Sequence, residues 1–177
     1  VTSSPTNLWP EIEQGYLKIL MSAKHYIYME SPYFLPTEPI LFALRTAALA
    51  GVDVRLLLPL NADSKLVSLA SRTYLCQIAK AGAKVLLYTK GFNHSKLLVA
   101  DDSIATIGST NIDFRSFENN FEGNAFFYDT TTAIRIKEIF LTDSADTIPL
   151  EQLRTINNES FLFRLWESLV RLLSPLL

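Results

Sequence analysis

Helix-forming and strand-forming stretches alternate regularly along the first half of the chain, and this alternation restricts the possible folds more than any other feature. Apolar residues recur at helical spacing in three segments, each followed by a short β-rich run and separated by Pro or Gly breakers. The predicted helices cover 9–24, 38–50 and 64–81, and the predicted strands cover 25–30, 52–58 and 83–88. Such βαβ repeats predict an α/β domain with a largely parallel sheet sandwiched between helices.

The pattern changes after Gly91, where short strands follow one another without intervening helices. We expect strands at 95–100, 104–107 and 121–128, with an Asp-Asp-Ser turn at 101–103 and irregular chain at 108–120. The sheet is therefore predicted to be mixed. Beyond it we expect a helix over 130–141, a loop over 142–149 and further helices over 149–155 and 159–173.

We predict one domain over residues 1–158, followed by an amphipathic helix over 159–177. The apolar arc of that helix carries Trp166 at its border and fits either a bilayer interface or docking onto protein. The chain opens at Val1 with no leader, which suggests a piece of a longer protein. No apolar run reaches the length of a membrane span.

Charge and cysteine content exclude several classes of function. The chain has 16 Lys and Arg against 18 Asp and Glu, with a pI near 5.7, so no nucleic-acid partner is expected. The single cysteine, Cys76, excludes an intrachain disulfide and a cysteine metal cluster. We expect neither a metal nor a cofactor.

Polar residues of one short segment form the pattern H-x-K-x4-D-x6-G-S-x-N, which begins at His94 on the predicted β-hairpin. Because strand side chains alternate between faces, His94 and Lys96 point the same way, and Ser109 and Asn111 repeat that offset beyond the turn. Four polar groups are thereby predicted to converge on one phosphate. The remaining fixed positions of the pattern are Asp101 and Gly108.

These residue types suit phosphodiester chemistry. An imidazole can attack phosphorus, and the ammonium of Lys96 with the donors of Ser109 and Asn111 can stabilise the charge that grows on the phosphate oxygens. No metal is required for this. Asp101 lies five residues after Lys96, so its side chain is expected on the opposite face of the strand, and it begins a turn. We therefore predict that it binds backbone groups of the hairpin.

The pattern resembles the HKD motif of the phospholipase D superfamily, and four further segments resemble the C-terminal half of bacterial cardiolipin synthases. These segments are SPYFLP from Ser31, AALAGVDVR from Ala47, ASR from Ala70 and GSTNIDFRSF from Gly108. The resemblance implies a phospholipase D-like α-β-α fold and phosphatidyl transfer between two phosphatidylglycerol molecules through a phosphohistidine. It also implies a parent protein at the bacterial cell membrane, and a glutamate that hydrogen-bonds the histidine. Glu122 is the candidate, with Glu118 as the weaker one.

This reaction class uses two imidazoles, one that attacks phosphorus and one that protonates the leaving alcohol. The other histidine, His25, lacks the motif and is predicted to be structural. The second imidazole then comes from a homodimer mate or from another half of the parent chain, and the pattern leaves open which imidazole attacks. Two alternatives are a homodimeric phosphodiesterase or nuclease, and a non-catalytic half that completes a partner's site.

Overall fold

The computed structural model describes residues 1–156, which form ten strands and six helices. The strands are β1 (Thr2–Ser3), β2 (Tyr26–Glu30), β3 (Phe34–Leu35), β4 (Asp53–Pro59), β5 (Lys84–Tyr88), β6 (Leu97–Ala100), β7 (Ile104–Gly108), β8 (Ile112–Asp113), β9 (Glu122–Phe127) and β10 (Thr147–Pro149). The helices are α1 (Glu11–Ser22), α2 (Glu38–Leu49), α3 (Lys65–Lys80), α4 (Phe114–Glu118), α5 (Thr130–Ser144) and α6 (Leu150–Ile156).

Eight strands form one sheet in the order β1-β9-β7-β6-β2-β4-β5-β10. Only β2–β4 and β4–β5 pair in parallel, and the other neighbours are antiparallel. The mixed α/β class is confirmed, but "largely parallel" is wrong for the whole sheet. The parallel part is limited to β2, β4 and β5, which helical crossovers join, whereas β6 and β7 are joined by a tight turn that reverses the chain direction.

Helices cover both faces of the sheet, as predicted. The larger core lies between the sheet and α1, α2 and α3, where each helix buries residues three or four positions apart, such as Ile12, Tyr16 and Ile19 of α1. The smaller core lies under α5, whose Ala133, Ile136 and Phe140 are buried. Strands β2 and β6 bury side chains on both faces, so the β6–β7 hairpin is anchored in the middle of the sheet.

The element boundaries depart from the sequence prediction in the second half. The segment 108–120, predicted as irregular, contains β8 and α4. α4 is capped by Asp113, whose carboxylate accepts a hydrogen bond from the backbone N–H of Ser116 at 2.7 Å. The predicted loop 142–149 instead continues α5 to Ser144 and adds the edge strand β10. The predicted C-terminal helix over 159–177, and with it the end of the predicted domain at residue 158, lies outside the described residues.

Candidate active site

Three strand ends bring the motif to one end of the sheet. His94, Ser95 and Lys96 lie immediately before β6, Gly108 ends β7 and Glu122 begins β9. The antiparallel pairing places Leu97 opposite Ile107 and Gly108 opposite Asn124, so these ends are adjacent. The backbone N–H of Gly108 also donates to the carbonyl of Lys96 at 3.3 Å, which closes the hairpin at the site.

The imidazole of His94 and the ammonium of Lys96 are in direct contact. Lys96 Nζ lies 3.3 Å from both ring nitrogens of His94 and donates to the His94 carbonyl at 3.0 Å. Lys96 is only 9% exposed, whereas His94 is exposed and its ring lies 5.4 Å from the ring of Phe92. The two side chains meet as expected, although both lie just before the strand rather than within it.

Burial lowers the pKa of Lys96 below its ordinary value, and the nearby carboxylates of Glu122 and Asp113 oppose that shift. The two carboxylates are thus close enough to Lys96 to act on its charge. An anionic phosphate would add to that favourable field and restore the solvation that the buried ammonium has lost.

Ser109 and Glu122 form the second contact of the site. The Ser109 hydroxyl donates to Glu122 Oε2, and its oxygen accepts from the backbone N–H of Gly123 at 3.0 Å. Asn120 Nδ2 donates to the other carboxylate oxygen of Glu122 at 3.3 Å. Both oxygens of Glu122 are therefore bonded to Ser109 and Asn120 in this structure, and its proposed bond to the catalytic histidine stays a prediction.

Asn111 faces a different environment from the other motif residues. Its Oδ1 is buried and lacks a hydrogen-bond partner among the described residues, and it lines a polar cavity of about 290 Å³ with Tyr33, Asp113, Arg115 and Asn120. The adjoining backbone is fixed because Ile112 N–H donates to Ser31 Oγ at 3.1 Å and β8 pairs with β3.

A second cavity, apolar and about 360 Å³, lies between α1 and α2 and is not lined by the predicted site residues.

Gly108 is required by a close approach to the neighbouring strand. A Cβ at this position would overlap the Asn124 side chain and the Gly123 carbonyl. Asn124 is buried and joins Thr110, Thr106 and Tyr16 by hydrogen bonds of 2.8 to 3.2 Å. The glycine thus allows β7 to approach the amide network beneath the Gly-Ser-Thr-Asn segment.

Asp101 binds backbone groups, but those of the neighbouring strand rather than those of its own hairpin. Its carboxylate accepts from the N–H groups of Lys24, His25 and Tyr26 at 2.7 to 2.9 Å. Asp101 and Asp102, the first two residues of the three-residue turn 101–103, both have φ of 52°, a left-handed conformation that aspartate tolerates. The carboxylate ties the β6–β7 hairpin to the start of β2.

Replacing Asp101 with asparagine is expected to lower the free energy of unfolding by about 1–2 kcal/mol, because one carboxylate oxygen becomes an NH₂ that faces a backbone N–H. Burial alone would raise the pKa of Asp101, but the three N–H groups outweigh it and the pKa lies below its ordinary value. This stabilisation is present above the ordinary aspartate pKa and is lost as pH falls through the lowered one.

Urea-unfolding midpoints of the wild type and of Asp101→Asn measure the loss, with Glu138→Gln on the exposed face of α5 as the control for charge removal. An Asp101→Asn midpoint equal to that of the control would contradict the tying role.

Three residues at the site were not predicted from the sequence. Asn93 Nδ2 donates to Glu30 Oε2 at 3.1 Å and to Asp143 Oδ2 at 3.4 Å, and Asn93 Oδ1 accepts from the backbone N–H of Ser95 at 2.8 Å. A signal for Glu30 does exist, because an acid at the end of the apolar strand YIYME is costly to bury. Nothing in the sequence indicates that Asp143, in the last turn of α5, reaches the same amide.

Within residues 1–156, no group of three or more His, Cys, Asp or Glu side chains is arranged to hold a metal ion. None of the helices in this part of the chain combines the length and apolar character that a membrane crossing needs.

Residues 16–144 match the family model described as "Cardiolipin synthase, PLD-like domain". The chain is 45% identical over 177 residues to a cardiolipin synthase of Geobacillus thermodenitrificans and 43% identical over 182 residues to the major cardiolipin synthase ClsA of Bacillus subtilis. Both alignments include the whole chain but only 35% and 36% of the relatives, so the chain spans about a third of their length.

The fold resembles that of Nuc from Salmonella typhimurium, described as a phospholipase D family member. The TM-score is 0.67 at 24% identity, with 77% of this chain and 89% of that chain covered. Three observations agree with this family. The sheet is mixed and lies between helices, the His-x-Lys segment lies at its end, and the family model matches most of the described residues. The chain belongs to the family of cardiolipin synthase, PLD-like domains.

Proposed function

We propose that this chain is the second of two HKD halves of a cardiolipin synthase, which transfers a phosphatidyl group from one phosphatidylglycerol to another. The contact of the buried Lys96 ammonium with the exposed His94 imidazole carries the proposal, because it places a cation beside a nucleophile that substrate can reach. Identity of 43–45% along the whole chain to cardiolipin synthases supports the choice of substrate.

The reaction proceeds in two displacements at phosphorus. One imidazole of the pair attacks the phosphodiester of the first phosphatidylglycerol, the bond from phosphorus to the glycerol oxygen breaks, and the second imidazole gives that oxygen a proton. A hydroxyl of the second phosphatidylglycerol then attacks the phosphohistidine, loses its proton to the second imidazole and releases the first. Atoms balance as two phosphatidylglycerols giving one cardiolipin and one glycerol.

Lys96 is proposed to stabilise the negative charge that develops on the phosphate oxygens. Ser109 and Asn111 are proposed to donate to the same phosphate, which for Ser109 means exchanging its bond to Glu122 for one to the substrate. Glu122, bonded to Ser109 and Asn120, would then become free to hold a histidine in one tautomer.

The second imidazole is proposed to come from another HKD half in the same parent chain, since His25 is exposed at the far end of β2, where its backbone binds Asp101. Phosphatidylglycerol is a membrane lipid, so the complete protein is proposed to act at the bacterial membrane surface. The acidic pI of 5.7 favours this lipid substrate over nucleic acid.

The test is mass spectrometry of lipids formed when the complete parent protein is incubated with phosphatidylglycerol vesicles, with free glycerol quantified in parallel. Equal amounts of cardiolipin and glycerol are expected. Turnover of a chromogenic phosphodiester by this chain alone, with the solution mass of a dimer, would instead establish a homodimeric phosphodiesterase. A complete protein that keeps its full cardiolipin output after loss of His94 would assign this chain a non-catalytic pairing role.

A further inference from the structure

The pairing of β2 with β6 brings a buried carboxyl group next to the catalytic segment. Glu30, the last residue of β2, pairs with Leu97, the first residue of β6, and is only 1% exposed. His94 and Lys96 lie immediately before that strand. The side chain of Glu30 is therefore inside the protein, directly behind the segment that presents the imidazole.

Asn93 links this carboxyl group to the catalytic backbone. An asparagine amide has two N–H donors and one carbonyl acceptor. The NH₂ group donates to Glu30 at 3.1 Å and to Asp143 at 3.4 Å, and the carbonyl accepts from Ser95 N–H at 2.8 Å. The carboxyl oxygens of Glu30 and Asp143 accept hydrogen bonds from the NH₂ group, and the backbone N–H of Ser95 needs the amide oxygen as its acceptor. These contacts therefore fix the orientation of the Asn93 side chain and, through it, the turn from Asn93 to Ser95.

Burying the Glu30 carboxyl group costs free energy of folding, which argues against a purely incidental contact with Asn93. Burial raises the pKa of Glu30 to about 7, the side chains of Asn93 and Ser95 oppose this shift, and Asp143 raises the pKa further. Asp143 lies in the last turn of α5, where the helix dipole also disfavours negative charge. Glu30 Oε1 has no hydrogen-bond partner among the described residues. Burying the Glu30 carboxyl group in these surroundings costs stability, and a role at the site would explain why the fold keeps it.

We propose that Glu30 is a positioning residue for His94, which acts with Asp143 by holding the Asn93 amide so that the turn carrying the imidazole keeps one conformation. The inference rests on the proposed function of His94. Glu30 does not touch the substrate, and its effect reaches the reaction through Asn93 and the backbone at Ser95.

Two variants of Glu30 in the complete protein separate positioning from simple burial. Glu30→Gln retains an acceptor for Asn93 and adds a donor for Asp143, and we expect kcat within about threefold of wild type. Glu30→Met has similar volume but no strong acceptor, and we expect kcat to fall by about ten- to a hundredfold with KM within about twofold, because a misplaced reactive group affects chemistry more than binding.

Asn93→Ala supplies an independent variant, since Asn93 is only half-buried and is not part of the core. We expect the same loss of kcat, and no additional loss when it is combined with Glu30→Met, because both changes remove the same link. Additive losses, or an unchanged kcat in Asn93→Ala, would overturn the positioning role. If Glu30→Met does not fold, a loss of kcat in Asn93→Ala with a near-wild-type kcat in Glu30→Gln supports the positioning role, and an unchanged kcat in Asn93→Ala overturns it.

The failure of the positioning role and the failure of the proposed function give different results. A wild type that turns over a chromogenic phosphodiester but forms no cardiolipin contradicts the proposed lipid transfer. The variants are then compared with the chromogenic substrate, where the same losses still support positioning of His94 by Glu30.

Discussion

Replacing His94 with alanine is expected to reduce cardiolipin formation by the complete protein by at least about a thousandfold, because the variant lacks one of two imidazoles that form and break the bond to phosphorus. The loss should appear in kcat, since Lys96, Ser109 and Asn111, which are proposed to hold the phosphate, remain. Quantification of cardiolipin by mass spectrometry at saturating phosphatidylglycerol measures it.

His25→Ala is the matched control, because it removes the only other histidine of the chain from an exposed position at the start of β2. It should keep cardiolipin output close to that of wild type. If both histidine variants retained wild-type output, or both lost it equally while folded, the assignment of His94 to the catalytic pair would be wrong.

Replacing Lys96 with methionine is expected to lower kcat/KM by about a hundred- to a thousandfold, because methionine fills the buried site without the charge that stabilises the phosphate oxygens. Lys84→Met is the control, since Lys84 pairs with Asp53 at 2.9 Å on the surface and its side chain is 60% exposed. Equal kcat/KM in the two variants would remove Lys96 from the mechanism.

The pH dependence gives a second measure of Lys96. Burial lowers the pKa of its ammonium, and only the protonated form stabilises an anionic phosphate. Transfer should therefore decline as pH rises through a value below the ordinary lysine pKa. In Lys96→Arg the residual activity should decline only at a higher pH, because guanidinium stays protonated. A pH–rate profile of kcat/KM on both proteins tests this shift.

The sequence predicted the elements of the domain better than their arrangement. Apolar periodicity and the Gly51 and Gly82 breakers located α2, α3 and the strands that follow them, because these signals depend only on neighbouring residues. The parallel share of the sheet was overestimated because the antiparallel pairings of β6 with β2, of β1 with β9 and of β10 with β5 join distant parts of the chain. The short β8 pairs with β3 and has no periodicity of its own to reveal it.

The same distinction applies to the site. The two-residue spacing of His94 and Lys96 led to the prediction that their side chains point the same way, and they do meet, although neither residue lies in the strand on which that prediction was based. The contacts of Asp101 with Lys24 and of Asn93 with Asp143 were beyond prediction, since each joins residues that only the completed sheet brings together. Glu122 was proposed from family resemblance, but its bond to Ser109 follows from the adjacency of β7 and β9.

Strand β2 lies between an early-made and a late-made part of the sheet. It pairs on one side with β4 across a single helical crossover, and on the other side with β6, which arrives only after β5 has been made. Contacts between such distant segments form more slowly than local ones. During synthesis β2, β4 and β5 leave the ribosome before the His-x-Lys segment, so the sheet edge that receives the β6–β7 hairpin is made first and the site is completed last.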